Sequence, residues 1–273
     1  MTEFLFDHAA YLQRINYTGE TSPTSDTLKA LQHAQLYTIP FENFDIHLNR
    51  GIDLDPKALF EKLVHRRRGG YCFELNGLFL MALEAFGFDA RPLLARVHLT
   101  GTPSGRGHQV ELVTIEGRQW IVDVGFGAEA PRAPLPLELN RPTTSDGRKF
   151  RLMDDDRFGF MLQTEKDDHW IDLYSFDLGH VCPADIKYGN HYTSTHPDSF
   201  FVFARVAALP IENGVITLVN HTLKKTIAGE DDLQSLAEGQ AYLDALKTHF
   251  GIELDASYEE LRPLPEEAPA FVF

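Results

Sequence analysis

The sequence predicts an α+β protein with a helical N-terminal lobe, a β-rich middle lobe and a mixed C-terminal lobe. Apolar residues recur with a helical period through the first 90 residues. From about Ala90 the apolar period changes to two, which is the period of a strand with one buried face. An Asn213-Gly214 pair between apolar runs then predicts a β-hairpin. Helices and strands therefore follow one another in blocks, as they do in α+β folds.

Two helices are expected in the second half of the N-terminal lobe. The first begins at Asp55, an N-cap before a proline, and carries an apolar stripe over residues 59–64. Arg66–Arg68 are expected in its last turn and Gly69 at its end. The second helix is expected over Phe73–Phe86 and is apolar on more than one side, so it should be deeply buried.

Strands dominate the middle lobe. They are expected over Leu93–Leu99, Gln109–Ile115, Gln119–Val124, Phe158–Thr164 and His169–Ser175. Residues 130–146 contain four prolines and should interrupt the sheet. In the C-terminal lobe we expect a helix over Leu233–Phe250, capped by Asp231 or Asp232. Residues 263–273 are rich in proline and glutamate and are expected to form a surface tail.

The composition excludes several classes of function. The 273 residues include 25 Lys+Arg and 40 Asp+Glu, so the net charge is 25 − 40 = −15. This charge opposes nonspecific binding to nucleic acid or anionic membranes, because a phosphate-bearing partner would need a local basic pocket. No apolar run reaches the roughly 18 residues of a membrane span, and the N-terminus does not resemble a signal peptide. We therefore expect a cytoplasmic protein without nucleic-acid or membrane partners.

Cys72 is the first candidate for a catalytic residue. It follows Gly69-Gly70, which permit a sharp and closely packed turn, and it stands at the start of the second predicted helix. The N–H groups and the dipole at a helix start favour a thiolate over a thiol. A lone cysteine is more often structural, so position alone leaves both interpretations open. A nucleophile also needs a base, usually a histidine held by a carboxylate.

The hairpin after residue 106 brings a histidine and an aspartate together. If residues 116–117 form a two-residue turn, facing residues have numbers that sum to 233. Val110 then faces Asp123, and His108 faces Gly125, which leaves room for the ring. His108 and Asp123 become diagonal neighbours on one face, about 7–8 Å apart at the backbone. A carboxylate on this apolar face needs a partner, which the imidazole N–H would supply.

Two alternatives stay open for this hairpin. Asp123 could instead cap the turn at Gly125–Gly127, with His108 in a loop. A register slip by one residue would place the two side chains on opposite faces. The glycines of this turn would also let backbone amides approach a ligand, although a lone Gly-x-Gly is weak evidence for a phosphate site.

Other polar residues have less specific interpretations. Arg68 is expected to form a buried ion pair with a carboxylate such as Glu42. Cys182 has neither a helix start nor glycines beside it, and we expect it to be structural. With only two cysteines, the chain has no disulfide framework. The histidines show neither HExxH nor paired-cysteine spacing, so no metal site is expected.

Several motifs together resemble those of the arylamine N-acetyltransferase (N-hydroxyarylamine O-acetyltransferase) family. The most specific are RGGYCFELNG at 68–77, GHQV at 107–110 and WIVDVGFG at 120–127. YLQRI at 11–15, PFEN at 40–43 and YTSTHP at 192–197 also fit. The resemblance extends to about residue 205, and the remaining residues match only in their general pattern.

The resemblance implies an N-terminal helical bundle (1–89), a central antiparallel β-barrel-like domain (90–197) and a C-terminal α/β lid (198–273). The catalytic core would be like that of papain and transglutaminase. Acetyl-CoA would be the donor, and arylamines, arylhydrazines or N-hydroxyarylamines the acceptors. A transglutaminase-like or papain-like cysteine hydrolase, or a non-catalytic binding protein of the same fold, is the alternative. The oligomeric state stays open.

The resemblance also implies roles for individual residues. Cys72 would be the nucleophile, His108 the base and Asp123 the orienting carboxylate. The residues expected at the acetyl-CoA site are Phe126, Gly127, Val97 and Gly107. The residues expected to contact the acceptor are Phe41, Phe126 and Phe203. Arg68 and Glu42 would have a structural role beneath the site.

Overall fold

A computed structural model of the protein describes residues 4–265. Helices dominate the N-terminal third and span His8–Arg14 (α1), Ser25–Leu36 (α2), Phe44–His47 (α3), Pro56–Phe60 (α4) and Cys72–Ala85 (α5). A two-residue strand, Phe41–Glu42 (β1), lies between α2 and α3. A π-helical turn over Glu61–His65 continues α4.

The helix predicted from Asp55 begins as expected and ends early. The Asp55 carboxylate caps α4 by accepting a backbone hydrogen bond at 3.0 Å. The prediction that Arg66–Arg68 lie in the last helical turn is wrong, because that turn ends at His65. Arg67 has a positive φ of 53°, a left-handed conformation that terminates helices. The chain therefore leaves the helix before it reaches Gly69.

The second predicted helix is confirmed as α5, with each end shifted by one residue. The apolar side chains that are 1% exposed or less are Phe73, Leu75, Leu78, Phe79, Ala82 and Leu83. Leu80 and Met81, on the other side of the helix, are half-buried. The six buried side chains form the centre of the N-terminal hydrophobic core. The residue at the start of α5, Cys72, is thereby fixed to the most deeply packed element of the lobe.

The strands of the middle region include all five that were predicted. They span Asp89–Val97 (β2), Arg106–Ile115 (β3), Arg118–Val122 (β4), Leu135–Pro136 (β5), Thr143–Ser145 (β6), Arg148–Asp155 (β7), Gly159–Lys166 (β8) and His169–Phe176 (β9). The proline-rich stretch 130–146 contains only the short strands β5 and β6. A short 3₁₀ turn at Gly127–Glu129 follows β4.

These strands form an antiparallel sheet in the order β5-β4-β3-β2-β9-β8-β7-β6. Its two ends approach each other, because Leu139 after β5 forms a bridge with Leu152 of β7. The Asn140 N–H also donates to the Leu152 carbonyl at 2.8 Å. The sheet is nearly closed around its own apolar core, so the barrel-like middle region is confirmed.

The β3–β4 hairpin has the predicted register. Glu111 pairs with Val122, and every other pair of this ladder also has numbers that sum to 233. The ladder between these strands ends at the Glu111–Val122 pair, so His108 and Asp123 lie just beyond it.

The C-terminal region forms a second sheet with flanking helices. Its elements span Pro183–Thr195 (α6), Phe200–Phe203 (α7), Val206–Ile211 (β10), Gly214–Val219 (β11), Thr222–Ile227 (β12), Glu230–Ser235 (β13) and Gln240–Phe250 (α8). The antiparallel order is β1-β10-β11-β12-β13. Phe41 of β1 pairs with Ala208 of β10, so the N-terminal region contributes an edge strand to this sheet.

The hairpin predicted at Asn213-Gly214 is confirmed, with its turn one residue earlier. Ile211 pairs with Gly214, so Glu212 and Asn213 form the turn. The left-handed φ of 55° falls on Asn213, which tolerates it better than most residues.

The helix predicted over Leu233–Phe250 is wrong in its first half. Residues 230–235 form β13, and the helix begins only at Gln240. Asp231 is not an N-cap, because its carboxylate accepts a hydrogen bond from the Thr226 hydroxyl at 2.6 Å across the ladder. Strand pairing with β12 thus outweighs the local helix signal.

The division into lobes at 89/90 and 197/198 stays a prediction. The predicted tail at 263–273 lies mostly outside the described residues. Within residues 4–265, no helix combines the length and the apolar character that crossing a bilayer requires.

Candidate active site

Cys72 is the first residue of α5 and is 4% exposed. The two preceding glycines let the turn pack tightly against its neighbours. A Cβ on Gly69 would lie 2.2 Å from the Pro40 carbonyl oxygen, and one on Gly70 would lie 2.8 Å from the Glu74 side chain. The predicted closely packed turn is therefore confirmed, and it fixes where the thiol sits.

The hairpin brings His108 and Asp123 together, as the register predicts. His108 Nε2 lies 2.8 Å from Asp123 Oδ2, and both residues are buried. The first half of the alternative holds, because the Gly125 N–H donates to Asp123 Oδ1 at 2.8 Å and Asp123 caps the following turn. Its second half is wrong, because His108 lies in strand β3 and not in a loop. One carboxylate thus holds the ring with one oxygen and the turn with the other.

Asn76 ties the carboxylate to the helix that carries the thiol. Its Nδ2 donates to Asp123 Oδ1 at 3.0 Å and to the Gln109 carbonyl at 2.6 Å. Its Oδ1 accepts the Val124 N–H at 2.9 Å. Asn76 lies one helical turn after Cys72, so this spacing is the signal that sequence analysis could have used.

Gly125 is required for a reason other than the predicted one. A Cβ at this position would meet the Asn76 amide at 2.7 Å and the Cys72 Cα at 2.8 Å. A side chain at position 125 would therefore push the hairpin away from the start of α5. The sequence had led us to expect that such a side chain would crowd the imidazole ring. The absent side chain allows the close approach of the elements that carry Cys72 and Asp123.

The imidazole of His108 lies between the carboxylate and the thiol. Burial by itself lowers the pKa of His108. The charge and the hydrogen bond of Asp123, together with the neighbouring Cys72, have a larger and opposite effect and raise this pKa to about 10. Because Nε2 is bound to Asp123, Nδ1 is the nitrogen left for the thiol. The Cys72 Sγ also lies 3.7 Å from the Gly107 carbonyl oxygen.

Two aromatic rings enclose the imidazole. The Phe126 ring lies 4.8 Å from the His108 ring, and the Tyr174 ring lies 5.1 Å from it, measured between centroids. Tyr174 belongs to β9 and is fully buried. Sequence analysis missed it, because only the pairing of β9 with β2 brings it near His108.

Arg68 lies within a buried ion network beneath the site. Its guanidinium contacts Glu42 at 2.7 Å, as predicted, and Asp45 at 3.3 Å. Lys62 contacts Asp45 and Glu74, each at 2.7 Å. Sequence analysis did not identify Asp45, Lys62 or Glu74 as members of this network, because only folding brings them into contact with one another.

A cleft of about 940 Å³ opens onto Cys72 and His108. Every residue predicted to contact a substrate lines this cleft, namely Phe41, Val97, Gly107, Phe126, Gly127 and Phe203. Asp123, Arg68 and Glu42 do not line it and lie buried behind. The cleft is at the large end of the range for small-molecule sites, and most of its lining is apolar.

Comparisons with known proteins identify the family. A family model described as N-acetyltransferase matches residues 24–258. A relative from Salmonella typhimurium, named arylamine N-acetyltransferase / N-hydroxyarylamine O-acetyltransferase, is 42% identical over 81% of this chain and 78% of its own length. The protein belongs to the arylamine N-acetyltransferase family. The family that the motifs indicated is thereby confirmed.

Two further members of the arylamine N-acetyltransferase family match almost the whole chain. The Mycobacterium tuberculosis arylamine N-acetyltransferase is 40% identical over 91% of this chain and 90% of its own length. The structure of the Mycobacterium marinum arylamine N-acetyltransferase in complex with CoA superposes with a TM-score of 0.85 at 38% identity. That match covers 90% of this chain and 93% of the other.

The expectation that no helix begins at Cys182 is wrong for this member of the arylamine N-acetyltransferase family, whereas its interpretation as a structural residue stays a prediction. Cys182 is exposed and is the N-cap of α6, which begins at Pro183. Its N–H donates to Asp185 at 2.8 Å, so the helix start that sequence analysis did not recognise is present. The described residues contain no group of three His, Cys, Asp or Glu side chains that could hold a metal ion.

Glu111 is a buried carboxyl close to the active site of this arylamine N-acetyltransferase homologue. Burial raises its pKa to about 8, the charges of Asp123 and Glu84 add to the rise, and Gln109 and His108 oppose it. The folded state therefore holds a proton that the unfolded chain, with a pKa of about 4.3, releases. The resulting stabilisation is complete below about pH 4.3 and is lost as the pH rises through 8.

We expect Glu111→Gln to make the stability less dependent on pH. The free energy of unfolding of the variant should rise relative to the original protein between pH 5 and 8, by a few kcal/mol as an order of magnitude. Urea unfolding at pH 5, 6.5 and 8 measures the difference. The exposed Glu238, changed to Gln, is the control and should leave the dependence unaltered. Parallel pH profiles for Glu111→Gln and the original protein would contradict the assignment.

Proposed function

We propose that the protein transfers an acetyl group from acetyl-CoA to an arylamine, arylhydrazine or N-hydroxyarylamine. The observation that carries this proposal is the position of His108, with Nε2 on Asp123 and its other nitrogen toward Cys72 at the wall of an apolar cleft. This is the arrangement that a thiol nucleophile needs for acyl transfer. Membership of the arylamine N-acetyltransferase family and the CoA complex of a relative support the choice of donor.

The first half-reaction forms a thioester on the protein. The Cys72 sulfur, as a thiolate beside the His108 imidazolium, attacks the carbonyl carbon of acetyl-CoA. The new carbon–sulfur bond forms, the bond to the CoA sulfur breaks, and the CoA thiolate takes the imidazolium proton. The N–H of Phe73 belongs to the first turn of α5, whose N–H groups have no partner within the helix. We propose that this N–H stabilises the oxyanion.

The second half-reaction returns the thiol. The amine nitrogen attacks the acetyl-Cys72 carbonyl, and neutral His108 accepts the proton that this nitrogen loses. The carbon–sulfur bond to Cys72 breaks and the acetylated amine leaves. A thioester suits the task because an arylamine is a weak nucleophile. The two half-reactions share one site, so the kinetics should be ping-pong.

The cleft fits a donor and an acceptor in turn. Its volume of about 940 Å³ exceeds what a single-ring amine needs, and its apolar lining suits an aromatic acceptor. Phe41 and Phe203 are proposed as acceptor walls. Val97, Gly107, Phe126 and Gly127 are proposed to line the path of the donor. Asp123 holds the ring from behind and does not meet either substrate.

Intact mass spectrometry tests the proposal. The protein incubated with acetyl-CoA alone should gain the mass of one acetyl group, and Cys72→Ala should gain none. Cys182→Ala is the matched control, because Cys182 is the exposed second thiol and would report nonspecific acetylation. An adduct that persists in Cys72→Ala, or no adduct on the original protein, would overturn the proposal.

The fate of the adduct separates acetyl transfer from hydrolysis. Addition of an arylamine should discharge acetyl-Cys72 and produce the acetylated amine in equal amount. Discharge by water at the same rate with and without amine would favour a cysteine hydrolase instead. A Cys72 thiol that resists iodoacetamide at neutral pH would favour a non-catalytic binding protein.

A further inference from the structure

Residues 124–131, which we call the cleft loop, supply four consecutive residues to the wall of the cleft. Residues 125–128 all line the cleft that contains Cys72. The Phe126 ring also lies 4.8 Å from the His108 ring, measured between centroids. The shape of the cleft loop therefore sets the shape of the cleft beside the reacting groups.

The hydrogen bonds within the cleft loop are long and contribute little to its shape. In its 3₁₀ turn, the Glu129 nitrogen lies 3.3 Å from the Phe126 carbonyl oxygen, and the Ala130 nitrogen lies 3.4 Å from that of Gly127. Both distances exceed the usual value of about 2.9–3.0 Å. The conformation of the cleft loop therefore depends on side chains from other parts of the chain.

Gln32 of α2 joins the two ends of the cleft loop. Its Nε2 donates to the Asp123 carbonyl at 3.3 Å and to the Pro131 carbonyl at 3.0 Å. Gln32 is fully buried and lies one helical turn from the buried Leu28 and Leu36. Packing alone would favour an apolar residue here, because Gln32 Oε1 is buried without a hydrogen-bond partner among the described residues. The amide is explained by the loop that it holds and not by the core around it.

Arg148, the first residue of β7, holds the middle of the cleft loop. Its guanidinium donates to the Ala128 carbonyl at 2.6 Å and contacts the Glu129 carboxylate. Arg132 donates to the same carbonyl at 3.1 Å. Burial, and then the charge of Arg148, lower the pKa of Arg132 to about 10, so these two cations are unfavourable neighbours. Their convergence on one carbonyl opposes stability and fixes the loop.

We infer that Gln32 and Arg148 are positioning residues that hold the cleft loop in the shape that receives acetyl-CoA. This inference rests on the proposed function, in which Phe126 and Gly127 line the path of the donor. Among the described residues, those that line the cleft include neither Gln32 nor Arg148, so both act through the loop. A wall that is fixed before the donor arrives loses little freedom on binding.

Gln32→Met and Arg148→Met test the inference through the two half-reactions. In a ping-pong reaction the kcat/KM of acetyl-CoA reports the first half-reaction, and the kcat/KM of the amine reports the second. We expect each variant to lower kcat/KM for acetyl-CoA by about three- to tenfold, through a raised KM. The kcat/KM for p-anisidine and the rate of Cys72 alkylation by iodoacetamide should change by less than about twofold, because Asn76 still holds the Asp123 carboxylate.

Two further measurements separate positioning from a structural or electrostatic role. Gln32→Met should keep or raise the thermal unfolding midpoint, because methionine removes the unpaired buried oxygen. Arg148→Lys keeps the positive charge but loses the forked donor that binds a carbonyl and a carboxylate together. It should therefore lose kcat/KM for acetyl-CoA as Arg148→Met does.

Gln13→Met and Arg141→Met are the matched controls, because both side chains are exposed, and they should match the original protein. An unchanged kcat/KM for acetyl-CoA, an equal loss for acetyl-CoA and the amine, or full activity in Arg148→Lys would overturn the inference. Arg148 is partly exposed, so its variants decide the question even where Gln32→Met disturbs α2. If the original protein forms no acetyl-Cys72, the proposed function fails, which is a different result.

Discussion

Asp123→Asn is expected to lower kcat by about three to four orders of magnitude while leaving the fold intact. Two donors, the Asn76 amide and the Gly125 N–H, both point at Asp123 Oδ1. An asparagine must therefore place its oxygen at this position and its NH₂ group at the position of Oδ2. That NH₂ group would then donate to His108 Nε2.

The consequence for His108 is the wrong tautomer. With Nε2 forced to accept a hydrogen bond, the proton of the neutral ring moves to Nδ1, which is the nitrogen next to the thiol. The ring can then neither take the thiol proton nor, without the carboxylate charge, remain an imidazolium near neutral pH. Both losses act on the formation of acetyl-Cys72.

The measurement is the steady-state rate with acetyl-CoA and an arylamine, together with the thermal unfolding midpoint. The exposed Asp172 of β9, changed to Asn, is the matched control and should keep nearly full activity. A loss of less than tenfold in Asp123→Asn, with the folded state preserved, would mean that Asp123 does not orient the base.

Arg68→Met is expected to cost about 3–5 kcal/mol of folding free energy. The buried network contains the cations Arg68 and Lys62 and the carboxylates Glu42, Asp45 and Glu74. Removing Arg68 leaves Glu42, which is fully buried, without its partner. Lys62 would then be the one buried cation beside the three carboxylates, and the half-buried Arg50 approaches only Asp45, at 3.9 Å.

Urea unfolding of matched variants measures this effect. Arg66 is exposed two residues earlier, and Arg66→Met should change the stability by less than about 0.5 kcal/mol. The double variant Arg68→Met with Glu42→Gln should regain part of the loss, because it no longer buries an unpaired charge. If Arg68→Met is as stable as Arg66→Met, the network does not contribute to stability.

The reactive residues could be predicted because their signals are local. The glycine turn and the start of α5 specify Cys72, and a two-residue turn fixes the hairpin register that joins His108 to Asp123. Asn76 carried such a signal too, as it lies one turn after Cys72. The ring of Tyr174 carried none, because its position depends on how distant strands pair in the middle sheet.

The fold shows the same limit. Leu233 has acidic residues before it and an apolar helix after it, which is a sound local signal for a helix start. Pairing with β12 nevertheless draws it into a strand, where it is 64% exposed. The start of α6 at Pro183 was missed for the opposite reason, because a cysteine is an uncommon N-cap and no apolar stripe follows it.

Strand β1 makes the active site depend on the last third of the chain. The Glu42 N–H donates to the Gly70 carbonyl at 2.9 Å, and Phe41 pairs on its other side with Ala208. Strand β1 thus lies between the turn before Cys72 and strand β10 and is hydrogen-bonded to both. On the ribosome, Cys72 emerges long before Ala208, and domains form as their contacts become available. We therefore expect the turn before Cys72 to gain its final support only after Ala208 has left the ribosome.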